Sequence, residues 1–188
     1  MAKQEPELDE HGLAIHTYVS MVLVVLPTSD YAETTMRYAR SALYNVHVGT
    51  RVVAAQDEEM LVGELQDELQ PDGLLKDASM DDYSGVIFCG GPGALQLAED
   101  PDAQRLAKEA AAQKKMIAAW GHSSAVLARA GIVKGKRITG DPSVRTMLEK
   151  AGAKFTGHQL ERHDPFVTAF DDAVGFRFGK ALVAAVRI

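Results

Sequence analysis

The sequence predicts an α/β protein: a single-domain layered sandwich with a mostly parallel central sheet flanked by helices. Three observations carry this. Uncharged apolar runs of strand length recur at residues 21–26 (MVLVVL), 86–89 (VIFC) and 116–120 (MIAAW). They are continuous rather than alternating, as in parallel strands covered on both faces. Segments with helical spacing stand between them, which is the alternation of a layered α/β domain. Finally, residues 115–131 (KMIAAWGHSSAVLARAG) pass from strand to helix through Gly121, His122, Ser123 and Ser124. A buried strand that feeds a helix through so short a turn presents a residue above the sheet.

Bulk properties agree and exclude several classes. The 188 residues are 46% hydrophobic and 24% charged, enough for one domain with a sizeable core. A formal net charge of -6 opposes nucleic-acid binding. Cys89 is the single cysteine, so no internal disulfide forms and a reducing compartment suits the chain. No apolar run approaches a membrane span. The first residues, MAKQEPELDEHG, are polar and acidic, unlike a secretory signal. The chain therefore reads as cytoplasmic, with no membrane and no nucleic-acid partner.

Taken in order, residues 1–18 are a polar extension and 19–188 the α/β domain. Pro6, Gly12 and the acidic cluster favour a mobile tail, while Leu13, Ile15 and Tyr18 offer a short added strand. After the 21–26 strand, Pro27 begins a loop over 28–33 that carries Asp30, Tyr31 and Glu33. A helix runs on to Leu43 or Tyr44, with Met36, Ala39, Leu43 and Tyr44 on its inward face. Residues 51–55 are a strand, 56–70 an acidic stretch with room for a short helix, and 73–76 a weak strand. Gly90-Gly91-Pro92-Gly93 breaks the 86–89 strand, and helical turns begin at 95–98. Residues 101–113 form a helix with proline in its first turn. Ser123 or Ser124 caps the helix after the 116–120 strand.

Residues 137–139 are a short strand and 142–151 a helix with Val144, Met147 and Leu148 inward. Segments 154–160 and 166–169 read as two strands joined at His163-Asp164-Pro165. Asp171 or Asp172 caps a last helix reaching residue 186. Ligands of such sheets bind outside the strand carboxyl ends, so the loops 28–33, 90–94 and 121–124 should meet there.

These loops lie between runs that resemble the ThiJ/PfpI family, of the class I glutamine-amidotransferase-like, flavodoxin-like fold. The runs are Tyr83-Ser84-Gly85-Val86-Ile87-Phe88-Cys89-Gly90-Gly91, Ala118-Ala119-Trp120-Gly121-His122, Val126 through Thr139 (VLARAGIVKGKRIT) and Glu149-Lys150-Ala151-Gly152-Ala153. The resemblance extends from about residue 21 to 186. It implies a cysteine at the strand-to-helix corner, where this chain has Gly121. Glycine accepts the strained turn but supplies no nucleophile. The family's acid after the first strand falls nearest Tyr31, with Asp30 one residue away. Its late signature is replaced by Thr168-Ala169-Phe170-Asp171-Asp172.

The resemblance also implies an oxyanion hole from the amides of Gly90, Gly91 and His122. With Gly121 and Ser123, these are the candidate ligand-binding residues, suited to a small anionic or carbonyl metabolite. His122 serves either acid–base chemistry or a structural hydrogen bond. Two relocated nucleophiles are open: Ser123, with His122 or His163 as base, and Cys89, which otherwise acts as a small apolar residue. No metal site is implied, since no Cys/His set has zinc spacing. No coenzyme is implied either, since no lysine and serine or threonine follow Gly93 as in a phosphate loop.

Two classes of function follow. One is a non-catalytic small-ligand-binding or regulatory protein. The other is a hydrolase, deglycase, glyoxalase-like or protease-like enzyme with its chemistry moved to Ser123, Cys89 or an acid near Asp30. The family forms dimers, so the resemblance implies a homodimer.

Overall fold

The computed structural model describes residues 17–56 and 60–187. In chain order the elements are β1 (Ser20–Leu26), β2 (Ser29–Tyr31), α1 (Glu33–Tyr44), β3 (Val48–Ala54), β4 (Leu61–Gly63), β5 (Glu68–Leu69) and β6 (Gly73–Leu74). There follow β7 (Gly85–Phe88), α2 (Ala94–Leu97), α3 (Pro101–Ala112), β8 (Met116–Trp120), α4 (Ser124–Arg129), β9 (Arg137–Ile138) and α5 (Arg145–Lys150). The chain ends with β10 (Lys154–Phe155), β11 (Leu160–His163), β12 (Phe166–Ala169) and α6 (Gly175–Ala185).

Seven strands form the central sheet in the order β11-β12-β8-β7-β1-β3-β6. All its pairings are parallel except β11 with β12. The continuous apolar runs have their predicted cause: β7 and β8 are buried along their whole length. One face packs against α2 to α5 through Leu97, Leu106, Val126, Leu127 and Leu148. The other packs against α1 and α6 through Met36, Ala39, Leu43, Phe178 and Leu182. Neighbouring strands β1 and β7 send their chains to opposite sides, so their carboxyl ends form the switch point of the sheet. The loops after these two strands meet there, since the Ala32 amide donates to the Gly90 carbonyl at 2.9 Å.

Several boundaries depart from the sequence reading. The 51–55 strand begins earlier, at Val48, because β3 pairs with β1 from Ser20↔Val48 onward. The 28–33 loop contains β2, which pairs with β4. The acidic stretch 56–70 holds the β4–β5 hairpin and no helix among its described residues. Its turn is fixed from outside: Glu33 Oε1 accepts hydrogen bonds from the amides of Leu65 (2.6 Å) and Asp67 (3.4 Å). The 154–160 strand is divided. β10 pairs with β9, and β11 starts only at Leu160 to form the hairpin with β12.

Tyr44, expected inward, is 45% exposed. Tyr18 lies outside any strand and meets Tyr44 edge-on at 6.2 Å. The expectations for residues 1–16, including Leu13 and Ile15, fall outside the described residues.

Candidate functional site

The site is built on the corner between β8 and α4. Gly121 follows Trp120 with φ +58, the left-handed region that favours glycine. A 3-10 turn over Gly121–Ser123 then enters α4. Polar contacts pin this corner. The Asp141 amide donates to the Gly121 carbonyl at 3.1 Å. Ser123 Oγ accepts from the Trp120 amide at 3.1 Å and lies in donor range of the carbonyls of Phe88 (2.7 Å) and Trp120 (2.9 Å). Ser124 Oγ donates to the Thr139 carbonyl at 2.9 Å.

Neither serine caps α4, contrary to the sequence reading. Both are fully buried and face inward, because the parallel strand ends offer carbonyls that an outward cap would leave unmatched.

A side chain at Gly121 has room. A Cβ built there meets only the Phe170 carbonyl oxygen, at 4.0 Å. The glycines after β7 are different. A Cβ on Gly90 would fall 2.5 Å from the Trp120 carbonyl oxygen. One on Gly91 would overlap the Asp30 carbonyl, and Gly91 also has φ +108. The loop after β7 therefore lies directly on the loop after β1. The amides of Gly90 and Gly91 donate to no other backbone group among the described residues.

The structure places the remaining predicted residues as follows. His122 stands on the corner with its side chain 26% exposed, and its Nε2 is 3.7 Å from Asp141 Oδ1. That is an ion-pair distance, longer than a hydrogen bond. Burial alone would raise the Asp141 carboxyl. The Ser143 hydroxyl and amide, then the His122 charge, outweigh it and hold Asp141 below the ordinary carboxylate range.

Cys89 is fully buried, and its thiol donates to the Ala32 carbonyl at 3.6 Å. Burial first, then the charge of Asp172, pushes its pKa well above the ordinary thiol value. Asp30 is exposed, with φ +52, and accepts from Ser29 Oγ at 3.0 Å. Tyr31 is buried and donates to the Asp67 carbonyl at 3.1 Å. Arg137 and His163 meet elsewhere, where the Arg137 amide donates to His163 Nδ1 at 2.8 Å.

Sequence reasoning gave no site role to four carboxylates: Glu33, Asp172, Asp141 and Glu64. Glu33 is only 1% exposed, and its Oε2 has no hydrogen-bond partner. Asp172 caps α1 from the far end of the chain. Asp141 faces His122. The Glu64 carboxyl is raised above its ordinary value by burial first, then by the charges of Asp172 and Glu33, against a lowering by His122 and with a further push from Asp30. Glu33 had a signal: an acid in the first turn of a helix directly after the switch-point loop. Among the described residues, no group of three or more His, Cys, Asp or Glu could hold a metal ion. No helix among them is long and apolar enough to cross a membrane.

A flavodoxin-like sandwich with a glycine-lined switch point and a left-handed strand-to-helix corner defines the class of the protein. The sequence profile of the DJ-1/PfpI family matches residues 20–185, and the chain belongs to that family. It is 27% identical over 168 residues to an uncharacterized protein of Methanocaldococcus jannaschii, covering 88% of this chain and 82% of that one. It is also 27% identical over 162 residues to a Caenorhabditis elegans protein named glutathione-independent glyoxalase, covering 86% of each. The crystal structure of a ThiJ/PfpI domain protein from Brachyspira murdochii superposes with a TM-score of 0.84 at 20% identity. The superposition covers 89% of this chain and 96% of that one.

Proposed function

We propose that this DJ-1/PfpI protein binds a small carbonyl compound at the Gly121 corner and carries out no covalent step there. The observation that carries this reading is the corner itself. Gly121 keeps the left-handed geometry and open space above it, yet offers only a hydrogen where a nucleophile would stand. The free amides of Gly90 and Gly91 beside it suit a carbonyl oxygen. His122 and Ser123 complete the corner. His122 acts as a polar wall at ion-pair distance from Asp141, and Ser123 acts as an internal brace.

The enzyme reading needs a relocated nucleophile, and the geometry gives it little support. The Ser123 hydroxyl is buried and already bonded to backbone groups. Cys89 is buried, with its thiol held protonated. We further read the protein as a cytoplasmic homodimer. The free cysteine supports the compartment. Exposed Tyr38 and Phe176, on α1 and α6, support self-association.

The test is Gly121→Cys against the native chain with a thiol reagent at neutral pH. The variant is expected to gain one fast-reacting thiol, while native Cys89 reacts only after unfolding. Rapid labelling of native Cys89 would count against the reading.

A further inference from the structure

The Gly121 corner lies at the carboxyl ends of the sheet strands, and a second opening lies at the amino ends. There α1 closes with Tyr44, and β1 and β3 begin side by side. The chain entering β1 is tied to this end by the Val19 amide, which donates to the His47 carbonyl at 2.9 Å. A cavity of about 370 Å³ lies among Tyr18, Arg40, Ser41, Tyr44, Gly49 and Thr50. That is the small end of the range for ligand pockets, suited to a molecule with a single ring.

Two of its walls are aromatic. The Tyr18 and Tyr44 rings stand edge-on, 6.2 Å apart at an interplanar angle of 67°. Tyr18 is seated on the backbone of Gly49, where a Cβ would come within 2.8 Å of its ring and would overlap Met21 Sδ. Both tyrosines remain exposed, at 41% and 45%. A ring laid against them would take apolar surface of both partners out of water.

The third wall carries the charge. Arg40 is half-buried on α1, and its Nε donates to Thr50 Oγ1 at 3.0 Å. That bond orients the guanidinium and leaves its terminal nitrogens, which meet no carboxylate among the described residues. Arg37, Arg105, Arg129 and Arg145 differ, since each is paired with one. No Asp or Glu lines the cavity. It therefore holds a positive charge with none opposing it, in a chain whose net charge is -6. A planar guanidinium with two open nitrogens matches a carboxylate through parallel hydrogen bonds.

We infer that this cavity binds a small aromatic carboxylate, its ring against Tyr18 and Tyr44 and its carboxylate on the terminal nitrogens of Arg40. The site is separate from the Gly121 corner and does not rest on the reading of that corner. No bond is made or broken.

Three probes separate ring from charge: benzoate (both), benzamide (the ring alone) and acetate (the charge alone). Each is titrated into the isotopically labelled full chain at neutral pH. The amide signals of Ser41, Gly49 and Thr50 are followed, with those of Gly90, Gly91 and Gly121 in the same spectra. Benzoate is expected to shift the first three and to bind about tenfold more tightly than benzamide or acetate.

Arg40→Gln should bring benzoate down to the level of benzamide. Arg40→Lys should restore only part of the difference, because an ammonium keeps the charge without the fork. Should the Arg40 variants fail to fold, Tyr44→Ala, at an exposed position, should weaken benzoate severalfold on its own. Benzamide or acetate binding as tightly as benzoate overturns the inference, as does undiminished benzoate binding in Arg40→Gln or Tyr44→Ala. Benzoate that moves Gly90, Gly91 and Gly121 in place of Ser41, Gly49 and Thr50, or moves none of the six, overturns it equally.

Discussion

The Asp172 carboxylate accepts a hydrogen bond from the Thr35 amide at 2.8 Å, and the Thr35 hydroxyl donates to the Asp172 carbonyl at 2.9 Å. The residues are 137 positions apart in sequence. The contact satisfies an N-terminal amide of α1 that Ala32 cannot cap, since its side chain has no acceptor. It also ties the start of α1 to the turn that leads into α6. Asp172→Ala should cost about 1 kcal/mol in denaturant unfolding, with Asp172→Asn costing less because it retains an acceptor. Equal losses for both would show that the negative charge matters more than the bond.

Ser123 is a brace for the corner. Its hydroxyl links the Trp120 amide to the carbonyl end of β7. Ser123→Ala removes that buried link, so unfolding free energy should drop by about 1 kcal/mol. Ligand-induced shifts at Gly90 and Gly91 should persist in the folded variant. Urea melts and the same amide spectra check both halves of this statement.

The pH dependence of stability has a traceable contributor away from the corner. Burial would raise the Glu161 carboxyl, but the hydrogen bond and charge of Arg137, then His158 and Thr156, outweigh it and set it below the ordinary glutamate value. Arg137 Nε is 3.0 Å from Glu161 Oε1, and Glu161 is 7% exposed. A carboxyl with a depressed folded pKa stabilises the fold above its unfolded pKa and loses that contribution as pH falls through the folded one. The stability gap between the native chain and Glu161→Gln should therefore be widest near neutrality and shrink in acid. Denaturant melts across that range check it; a gap that widens in acid would reverse the assigned sign.

The sheet was legible because burial on both faces leaves a mark in sequence. The runs at 21–26, 86–89 and 116–120 contain no charge and form β1, β7 and β8 nearly at the predicted bounds. The β4–β5 hairpin was not legible, since what shapes its turn is the Glu33 carboxylate, a partner more than thirty residues away. The corner was legible as a turn from its glycine. The inward rotation of Ser123 was hidden, because a helix cap and an internal brace use the same residue at the same position. The carboxylates were hidden for a related reason. Asp172, Glu64 and Glu33 come from three separate stretches, and only folding makes them neighbours.

The account stands or falls on whether the corner lacks a working nucleophile. The direct measurement is consumption of methylglyoxal by the native chain beside Cys89→Ala and Ser123→Ala. The account predicts no turnover above the uncatalysed rate for all three. Turnover by the native chain that disappears in either variant would contradict it.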